Sequence, residues 1–502
     1  MKILFLSQGY ENLGIECLSA ALKSAGFETE LEIDPSLFKE TGFVRNNVLG
    51  QIFEMRDQIL ARIISRRPDL VCFSVLTDNY AWAIEWARKI KEYLGVPVVF
   101  GGIHPTSMPE LVIGEKSVNY VCVGEGDEAV VKLALAIKGA GDVIGIPGIW
   151  AKKGEKIYKN NVHPPVENLD KLPFPDKALF YEKYPFFKSG YLISSSRGCP
   201  FACAYCCNNV YHSIYRGMNY LRRRSPDNVI SELALAKKKY HPQFVHFSDE
   251  VFNLNDKWLK EFLLKYKTEV GLPFACYIYP DLVSRSQAAE LKAAGCFKVQ
   301  MGIQVADDAK RREVLNRPST LKNIGAVIDM FKAEKIYVVC DNILGFPDET
   351  EEELAALCAF YAKHTPDRNE LFFLGFYPKS PITNWAVLNG YIDKGTKRRI
   401  EAGTYSSGIV SPSEVVRLNS FSRQFMFLLG MIPIIPKRVS KIILARRLYV
   451  FFPVFPNALL RIGIRLLNHP AYDMFTAQFV KRYWYFMLKF ISYAFERRKS
   501  WV

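Results

Sequence analysis

Three cysteines lie close together near the middle of the chain, in Arg197-Gly198-Cys199-Pro200-Phe201-Ala202-Cys203-Ala204-Tyr205-Cys206, a C-x3-C-x2-C run. Thiolates are strong ligands for iron and zinc. Three of them on one tight loop hold three irons of a [4Fe–4S] cluster and leave the fourth iron open to a chelating substrate or cofactor. A zinc site would want a fourth Cys or His at ribbon spacing. Cys207 adjoins Cys206, and adjacent residues do not easily converge on one metal, so Cys207 reads as a packing residue. His212 is the candidate fourth zinc ligand. Eleven cysteines in 502 residues are too few for a disulfide scaffold, and the start MKILFLSQGYENLG lacks the small-residue cleavage site of an export signal. Reduced thiols and a cytoplasmic location are the expectation.

Such a loop needs a scaffold, and the surrounding patterns predict two. Over 1–150, short apolar runs at 2–7, 27–33, 69–76, 96–100 and 119–123 alternate with helical patterns at 14–25 and 81–94. Continuous β-branched runs between helices predict an α/β unit with a doubly wound, flavodoxin- or Rossmann-like parallel sheet. Ligands of such sheets sit beyond the C-terminal strand ends. Residues 151–190 contain HPPVENLDKLPFPD and read as a linker. A second alternating series fills 191–380, with strands expected at 191–196, 244–248, 274–278, 298–301, 337–343 and 371–376. Six βα units are too few for a closed eightfold barrel, so a partial (βα)6 barrel is expected. Residues 381–502 read as mostly helical.

The cysteine loop after the first strand of the second series, with Tyr205 before its last cysteine, resembles the radical S-adenosylmethionine (SAM) superfamily. Other segments agree over about 190–377. Phe247-Ser248-Asp249-Glu250 ends the second barrel strand, where the family offers backbone and acidic groups to the SAM amino group. Met301-Gly302-Ile303-Gln304 resembles its G-I-E-S segment, and Gly345-Phe346-Pro347-Asp348-Glu349-Thr350 its G-x-P-G-E-T segment near the adenine. Tyr277-Ile278-Tyr279-Pro280-Asp281-Leu282 lacks an arginine that many relatives carry there, so another basic residue must meet the SAM carboxylate. The resemblance implies a [4Fe–4S] cluster on Cys199, Cys203 and Cys206 and SAM against Tyr205, Ser248, Asp249, Glu250, Gly302, Gln304, Gly345, Phe346 and Pro347. It also implies radical hydrogen abstraction from an unactivated position, driven by an electron donor such as flavodoxin or ferredoxin.

The first unit resembles the cobalamin-binding domain fused to many such enzymes. The residues are Gly14 before the first helix, Thr77, Gly101-Gly102-Ile103-His104-Pro105-Thr106 and Gly124-Glu125-Gly126. Glycine-rich strand ends let a backbone approach a flat macrocycle. The D-x-H-x-x-G signature is absent, so cobalamin is expected without a histidine ligand. Methyl transfer is the leading outcome, with cyclisation or rearrangement as alternatives.

The net charge of +15 is uneven. Residues 437–502 hold thirteen Lys and Arg against two acids, a balance of +11, which leaves +4 for the remainder. Basic clusters alternate there with RVSKIILARRLYVFFPVF, ALLRIGIRLL and FVKRYWYFMLKFISYAFERRK. The segment reads as a helical lid, a peripheral membrane contact, or both, and a hydrophobic or lipid substrate suits it. A metal-stabilised nucleic-acid-binding protein is the rival of another class, with Arg222, Arg223 and Arg224 as its support. That run reads instead as a solvated loop beside SAM or substrate. The barrel body is nearly neutral and no nucleic-acid module is recognisable, so no nucleic-acid partner is expected.

Overall fold

A computed structural model describes residues 1–39, 46–139, 141–405, 420–452 and 474–499. The first unit is built on β1 (Lys2–Ser7), β2 (Glu28–Ile33), β3 (Leu70–Ser74), β4 (Val98–Gly101) and β5 (Tyr120–Cys122). They form one sheet in the order β2-β1-β3-β4-β5, all parallel. The helices between them cover both faces, and Ile3, Leu4, Phe5, Val71, Val98, Phe100 and Val121 are buried between the layers. The order reverses at β1 and β3, which opens a crevice beyond their C-terminal ends.

An antiparallel hairpin, β6 (Ile149–Lys153) and β7 (Lys156–Tyr158), turns at Gly154 and adds to the edge beyond β5. It carries this sheet to Tyr158, past the boundary of 150 expected from sequence. The hairpin was masked by its composition: Lys-Lys-Gly-Glu-Lys gives no apolar run, because the turn and the edge strand β7 lie where polar side chains reach water.

The second unit follows β8 (Gly190–Ile193). A short ribbon, β9 (Ser196–Arg197) with β10 (Arg222–Arg223), brackets the cysteine loop. Then come β11 (Phe244–Phe247), β12 (Phe274–Tyr277), β13 (Cys296–Gln304), β14 (Tyr337–Leu344) and β15 (Arg368–Phe373). The parallel order is β8-β11-β12-β13-β14-β15, a six-stranded partial barrel that is open between β8 and β15 among the described residues. Helix starts use ordinary caps: the Ser225 hydroxyl accepts from the Asn228 amide at 3.2 Å, and Thr350 with Glu353 forms a reciprocal capping box. β15 begins at Arg368, earlier than the expected 371–376. Its first residues are polar yet enclosed. Arg368 pairs with Glu370, and the Asn369 amide donates to the Leu429 carbonyl at 2.9 Å. A hydropathy pattern is blind to polar residues whose partners come from elsewhere.

The linker is tied to both units by a buried ion cluster. Lys177 Nζ lies 2.8 Å from Glu11 and 2.6 Å from Glu16, and all three side chains are nearly inaccessible. The Tyr181 hydroxyl, on the helix that follows, lies 3.0 Å from Glu11 and 3.3 Å from the Gly190 carbonyl. Removing one member leaves buried charge uncompensated. Lys177→Met is therefore expected to lower unfolding stability by about 3–5 kcal/mol in a denaturant titration, and a loss under about 1 kcal/mol would show the cluster to be inert.

The C-terminal region is helical where described. Lys437–Ala445 packs on Glu351–Lys363 of the barrel, and Met474–Lys499 packs across Pro185–Ser189 and the first unit. Tyr483 and Phe486 of that last helix belong to the main core, and the Tyr483 hydroxyl accepts from the Phe38 amide at 3.2 Å. Both helices thus pack on the body of the chain, and neither supplies a lining residue to the two cavities described below. The run ALLRIGIRLL lies outside the described residues. Among the described residues no helix is long and apolar enough to cross a membrane.

Candidate functional site

The cysteine loop leaves β9 through Gly198, whose φ is +92°. A Cβ there would stand 2.5 Å from the Tyr220 carbonyl oxygen, just before the facing strand β10, so only glycine fits. The Cys206 amide donates to the Cys203 carbonyl at 2.9 Å, closing a turn. Asn209 Nδ2 donates to the Cys203 and Cys206 carbonyls at 2.7 and 3.0 Å. From across the barrel, the Ala204 amide donates to the Leu315 carbonyl at 2.9 Å and Asn316 Nδ2 to the Ala202 carbonyl at 2.9 Å. Every one of these bonds fixes backbone and leaves the thiols to the cavity.

Cys199, Cys203 and Cys206 line one cavity of about 440 Å³. Hydrogen bonding with Cys207, helped by the Asn208 amide, pulls the Cys206 thiol down to about 6, whereas burial pushes Cys199 up to about 12. Among the described residues no three His, Cys, Asp or Glu side chains converge as they would on a single metal ion. Three cysteines on one loop, with no fourth ligand at ribbon spacing in the sequence, are a donor set that suits a cluster with one open iron better than a closed zinc site. His212 faces the Tyr220 ring edge-on at 5.5 Å. Cys207 is exposed and is not the packing residue expected from sequence, because it sits where the loop turns into the helix Asn208–Ile214.

The same cavity takes Tyr205, Ser248, Asp249, Glu250, Gly302 and Gln304. Their side chains do different things. The Asp249 carboxylate is fully buried and accepts from the Ser195 amide at 3.1 Å, the Ser195 hydroxyl at 2.7 Å and the Ser196 hydroxyl. It braces the β8–β9 connection from which the cysteine loop springs. Glu250 is exposed to the cavity, and burial, with Asp249 nearby, pushes its carboxyl up to about 7. Gln304 takes φ +73° at an irregularity in the β13–β14 register, which folds its amide back over Gly302. A non-glycine residue in that conformation is held by its surroundings, a common feature of ligand sites. Phe346 lies beside Gln304 in a smaller neighbouring cavity, with the Lys310 ammonium 5.0 Å from its ring. The Gly345 amide donates to Glu349 at 3.0 Å, and neither Gly345 nor Pro347 lines the cysteine cavity.

Sequence reasoning missed Arg317. Its guanidinium is buried in the cysteine cavity, donates to the Gly302 carbonyl at 2.9 Å, reaches Cys203 Sγ at 3.7 Å and lies 4.6 Å over the Tyr279 ring. Tyr279 stacks on Phe201 at 3.8 Å, so the cation is wedged between the cysteine loop and the end of β13. Among the described residues Nε has no hydrogen-bond partner. The turn Asn316-Arg317-Pro318 was the only signal, and Arg311 and Arg312 compete with it in sequence. Arg311 instead ties backbone carbonyls, Ser319 at 2.8 Å and Ile303 at 3.2 Å.

A second cavity, of about 400 Å³, lies between the two units. Gly14, Gly101, Gly102, Gly124, Glu125 and Gly126 line one side, and Ser194, Ser196, Arg197, Tyr211, Tyr220, Ser248 and Glu250 the other. At Gly102, φ is +102° and a Cβ would stand 2.7 Å from the Val75 carbonyl oxygen. Thr77 and His104 are not in this wall. The His104 ring is wholly buried, lies tilted against Tyr80 at 4.3 Å and meets the Thr77 hydroxyl at 3.3 Å, and burial lowers its pKa to about 4. Neither side chain reaches the cavity expected to hold it, because packing behind the strand end encloses the histidine.

Ion pairs fasten the units around this cavity. Asp127 receives both Arg197 nitrogens at 2.7 and 3.0 Å, and Glu125 receives Arg222 Nη1 at 3.0 Å and Arg197 at 3.3 Å. Coulombic attraction to Arg197 keeps the Asp127 carboxyl below its ordinary range despite burial. The Glu125 amide also donates to the Tyr215 hydroxyl at 2.6 Å. The arginine run expected as a solvated loop is therefore internal. Arg223 donates to the Val251 and Phe252 carbonyls at 2.9 and 3.0 Å, and Arg224 pairs with Glu232 at 2.6 Å. Acids and carbonyls from three other segments enclose a run that looks polar in isolation.

Comparison with known proteins agrees with this geometry. Residues 193–361 match the radical SAM superfamily, and residues 6–134 match the B12 binding domain. An uncharacterised methyltransferase of Pyrococcus horikoshii is 29% identical over 346 residues, 66% of this chain and 72% of that one. The anaerobic magnesium-protoporphyrin IX monomethyl ester cyclase of Rubrivivax gelatinosus is 25% identical over 390 residues, 73% of this chain and 66% of that one. In fold, the chain is similar to the radical SAM methyltransferase TsrM from Kitasatospora setae (TM-score 0.62, 18% identity, 77% of this chain and 76% of that one). It is likewise similar to the cobalamin-dependent SAM radical enzyme OxsB (TM-score 0.64, 14% identity, 100% of this chain and 81% of that one). The doubly wound domain with glycine-rich strand ends thus corresponds to a B12 binding domain, and the partial barrel with three cysteines at its mouth to a radical SAM domain.

Proposed function

We propose that this protein is a cobalamin-dependent radical SAM enzyme that transfers a methyl group to an unactivated position of its substrate. The observation that carries the reading is that Ser248 and Glu250 line both cavities, so the cysteine site and the B12-domain crevice adjoin one another. When bound, the cluster and SAM supply one-electron C–S cleavage and hydrogen abstraction, and cobalamin supplies a methyl carrier. The chain's own residues hold and orient these groups. Cys199, Cys203 and Cys206 take the irons. Arg317 supplies the cation for the SAM carboxylate that the segment after β12 lacks, and Ser248 and Glu250 offer oxygens to its ammonium. Gly14, Gly101, Gly102, Gly124 and Gly126 allow a macrocycle close approach. The ion pairs of Arg197 and Arg222 hold the roof shut and keep water from the reacting centre. A reduced flavodoxin or ferredoxin is the proposed electron source, and the substrate is a hydrophobic molecule.

The P. horikoshii and K. setae methyltransferases favour methyl transfer, and the R. gelatinosus cyclase sustains ring closure as a second reading. Anaerobically reconstituted enzyme is incubated with trideuteromethyl-SAM, cobalamin, reductant and cell extract. A product carrying the label, formed with 5′-deoxyadenosine, is expected. A product that has lost hydrogens without gaining label would mean ring closure, and no SAM consumption would refute both.

The placement of His104 predicts the state of bound cobalamin. The Co(II) form is expected to give an electron paramagnetic resonance spectrum that His104→Phe leaves unchanged. Nitrogen splitting that disappears in this variant would place His104 on cobalt.

A further inference from the structure

The last helix, Met474–Lys499, presents two apolar faces. One, with Tyr483 and Phe486, is buried in the core. The other looks outward: Val480, Trp484, Leu488 and Ile491 are 47%, 62%, 60% and 42% exposed. At 3.6 residues per turn these four fall within an arc of roughly 80°. Exposed Lys481 and Lys489 lie to one side of it. A lid needs only the first face.

The helix Lys437–Ala445 and the turn Leu448–Phe451 repeat the pattern. Val439, Ile442 and Phe451 are exposed, Phe451 by 81%. Arg438, Lys441 and Arg446 are exposed beside them, and no acidic residue occurs from 434 to 452. Isolated exposed apolar residues are ordinary, but aromatic and aliphatic side chains set among cations are the composition of a helix that lies in a lipid interface.

We propose that the exposed faces of these C-terminal elements dock on the surface of an anionic lipid bilayer, with Phe451 and Trp484 entering the interface and Arg438, Lys441 and Arg446 meeting headgroup phosphates. Charge complementarity selects the occupant. The segment 437–502 carries +11 and the rest of the chain +4, so an acidic surface is attracted at this end. A second copy would bring two strongly positive faces together. A nucleic acid would engage the cations and leave Trp484, Leu488 and Ile491 in water. The inference is independent of which reaction the cavities perform.

The test is flotation of the full-length protein with phosphatidylcholine vesicles, with and without phosphatidylglycerol, at low and high salt. Binding to the anionic vesicles is expected, with little to the neutral ones, and a loss of about tenfold at high salt because the attraction is screened. Trp484 emission is expected to shift to the blue on anionic vesicles, a change absent in Trp484→Phe. The pair Phe451→Glu with Trp484→Glu, and separately Arg438→Glu with Lys441→Glu, are each expected to lower the bound fraction about tenfold or more. Both variants alter exposed residues that line neither cavity, so unchanged SAM cleavage certifies their fold. Equal binding to both lipid types, negligible binding to either by active protein, or variants that bind as the parent does would each overturn the proposal. So would self-association that the same substitutions abolish without any lipid binding.

Discussion

Replacing Cys199, Cys203 or Cys206 singly by alanine is expected to remove the visible iron–sulfur absorption and reduce SAM cleavage to background, whereas Cys207→Ala retains both. The four cysteines occupy neighbouring positions, so the contrast between them is the informative part. Three line the cavity, and the backbone around them is anchored independently of the sulfurs through Asn209, Asn316 and the Ala204 amide. Losing one thiol therefore removes a ligand without dissolving the loop, and far-ultraviolet circular dichroism should match the parent. A cluster left with two thiolates has two irons without protein donors and is not retained. Cys207 is exposed at the head of the next helix, and its contribution is a hydrogen bond to Cys206. Its loss is expected to alter cluster stability slightly and leave iron content intact. Iron and sulfide analysis decides the matter. A Cys207→Ala protein without iron, or a Cys203→Ala protein with full iron, would overturn the ligand assignment.

Arg317→Met is expected to weaken SAM binding about thirtyfold, the equivalent of about 2 kcal/mol for a hydrogen-bonded charge pair in a partly enclosed site. Methionine keeps much of the hydrophobic stem and loses the fork. Arg317→Lys restores the charge alone and should recover only part of the affinity, because an ammonium cannot serve the Gly302 carbonyl and a carboxylate in the same plane. The guanidinium also touches Cys203 Sγ and Tyr279, so a purely structural role must be separated from a binding one. Iron content and thermal midpoint near those of the parent, together with a raised KM for SAM, indicate binding. Parallel loss of iron in both variants, or unchanged affinity for SAM, would assign Arg317 to the loop's architecture instead.

Local sequence carried much of the scaffold. Apolar runs of strand length and helical spacing placed β1–β5, β8 and β11–β14 because these strands pair in parallel within covered sheets and so are continuous apolar segments. The edge hairpin β6–β7 escaped because it has no such run, and the start of β15 because its polar residues are satisfied by distant partners. The cysteine loop was legible for a chemical reason: its three donors lie within eight residues, and their convergence depends on local chain geometry alone.

The remaining side chains around the two cavities were decided by packing between distant segments. Asp249 and Glu250 are adjacent in sequence, yet one braces the β8–β9 connection and the other faces both cavities. The residue type says that each carries a carboxylate, and the residues packed above it decide where it points. His104 looked available beside two glycines and is enclosed by Tyr80 and Thr77. Arg222, Arg223 and Arg224 looked solvated and are internal struts, because Glu125, Glu232 and the 251–252 carbonyls arrive from elsewhere in the chain. Arg317 stands 114 positions from Cys203 and still reaches its sulfur. A buried cation settles where carbonyls, an aromatic face and a thiol together replace its water, and only the folded chain brings those groups to one place.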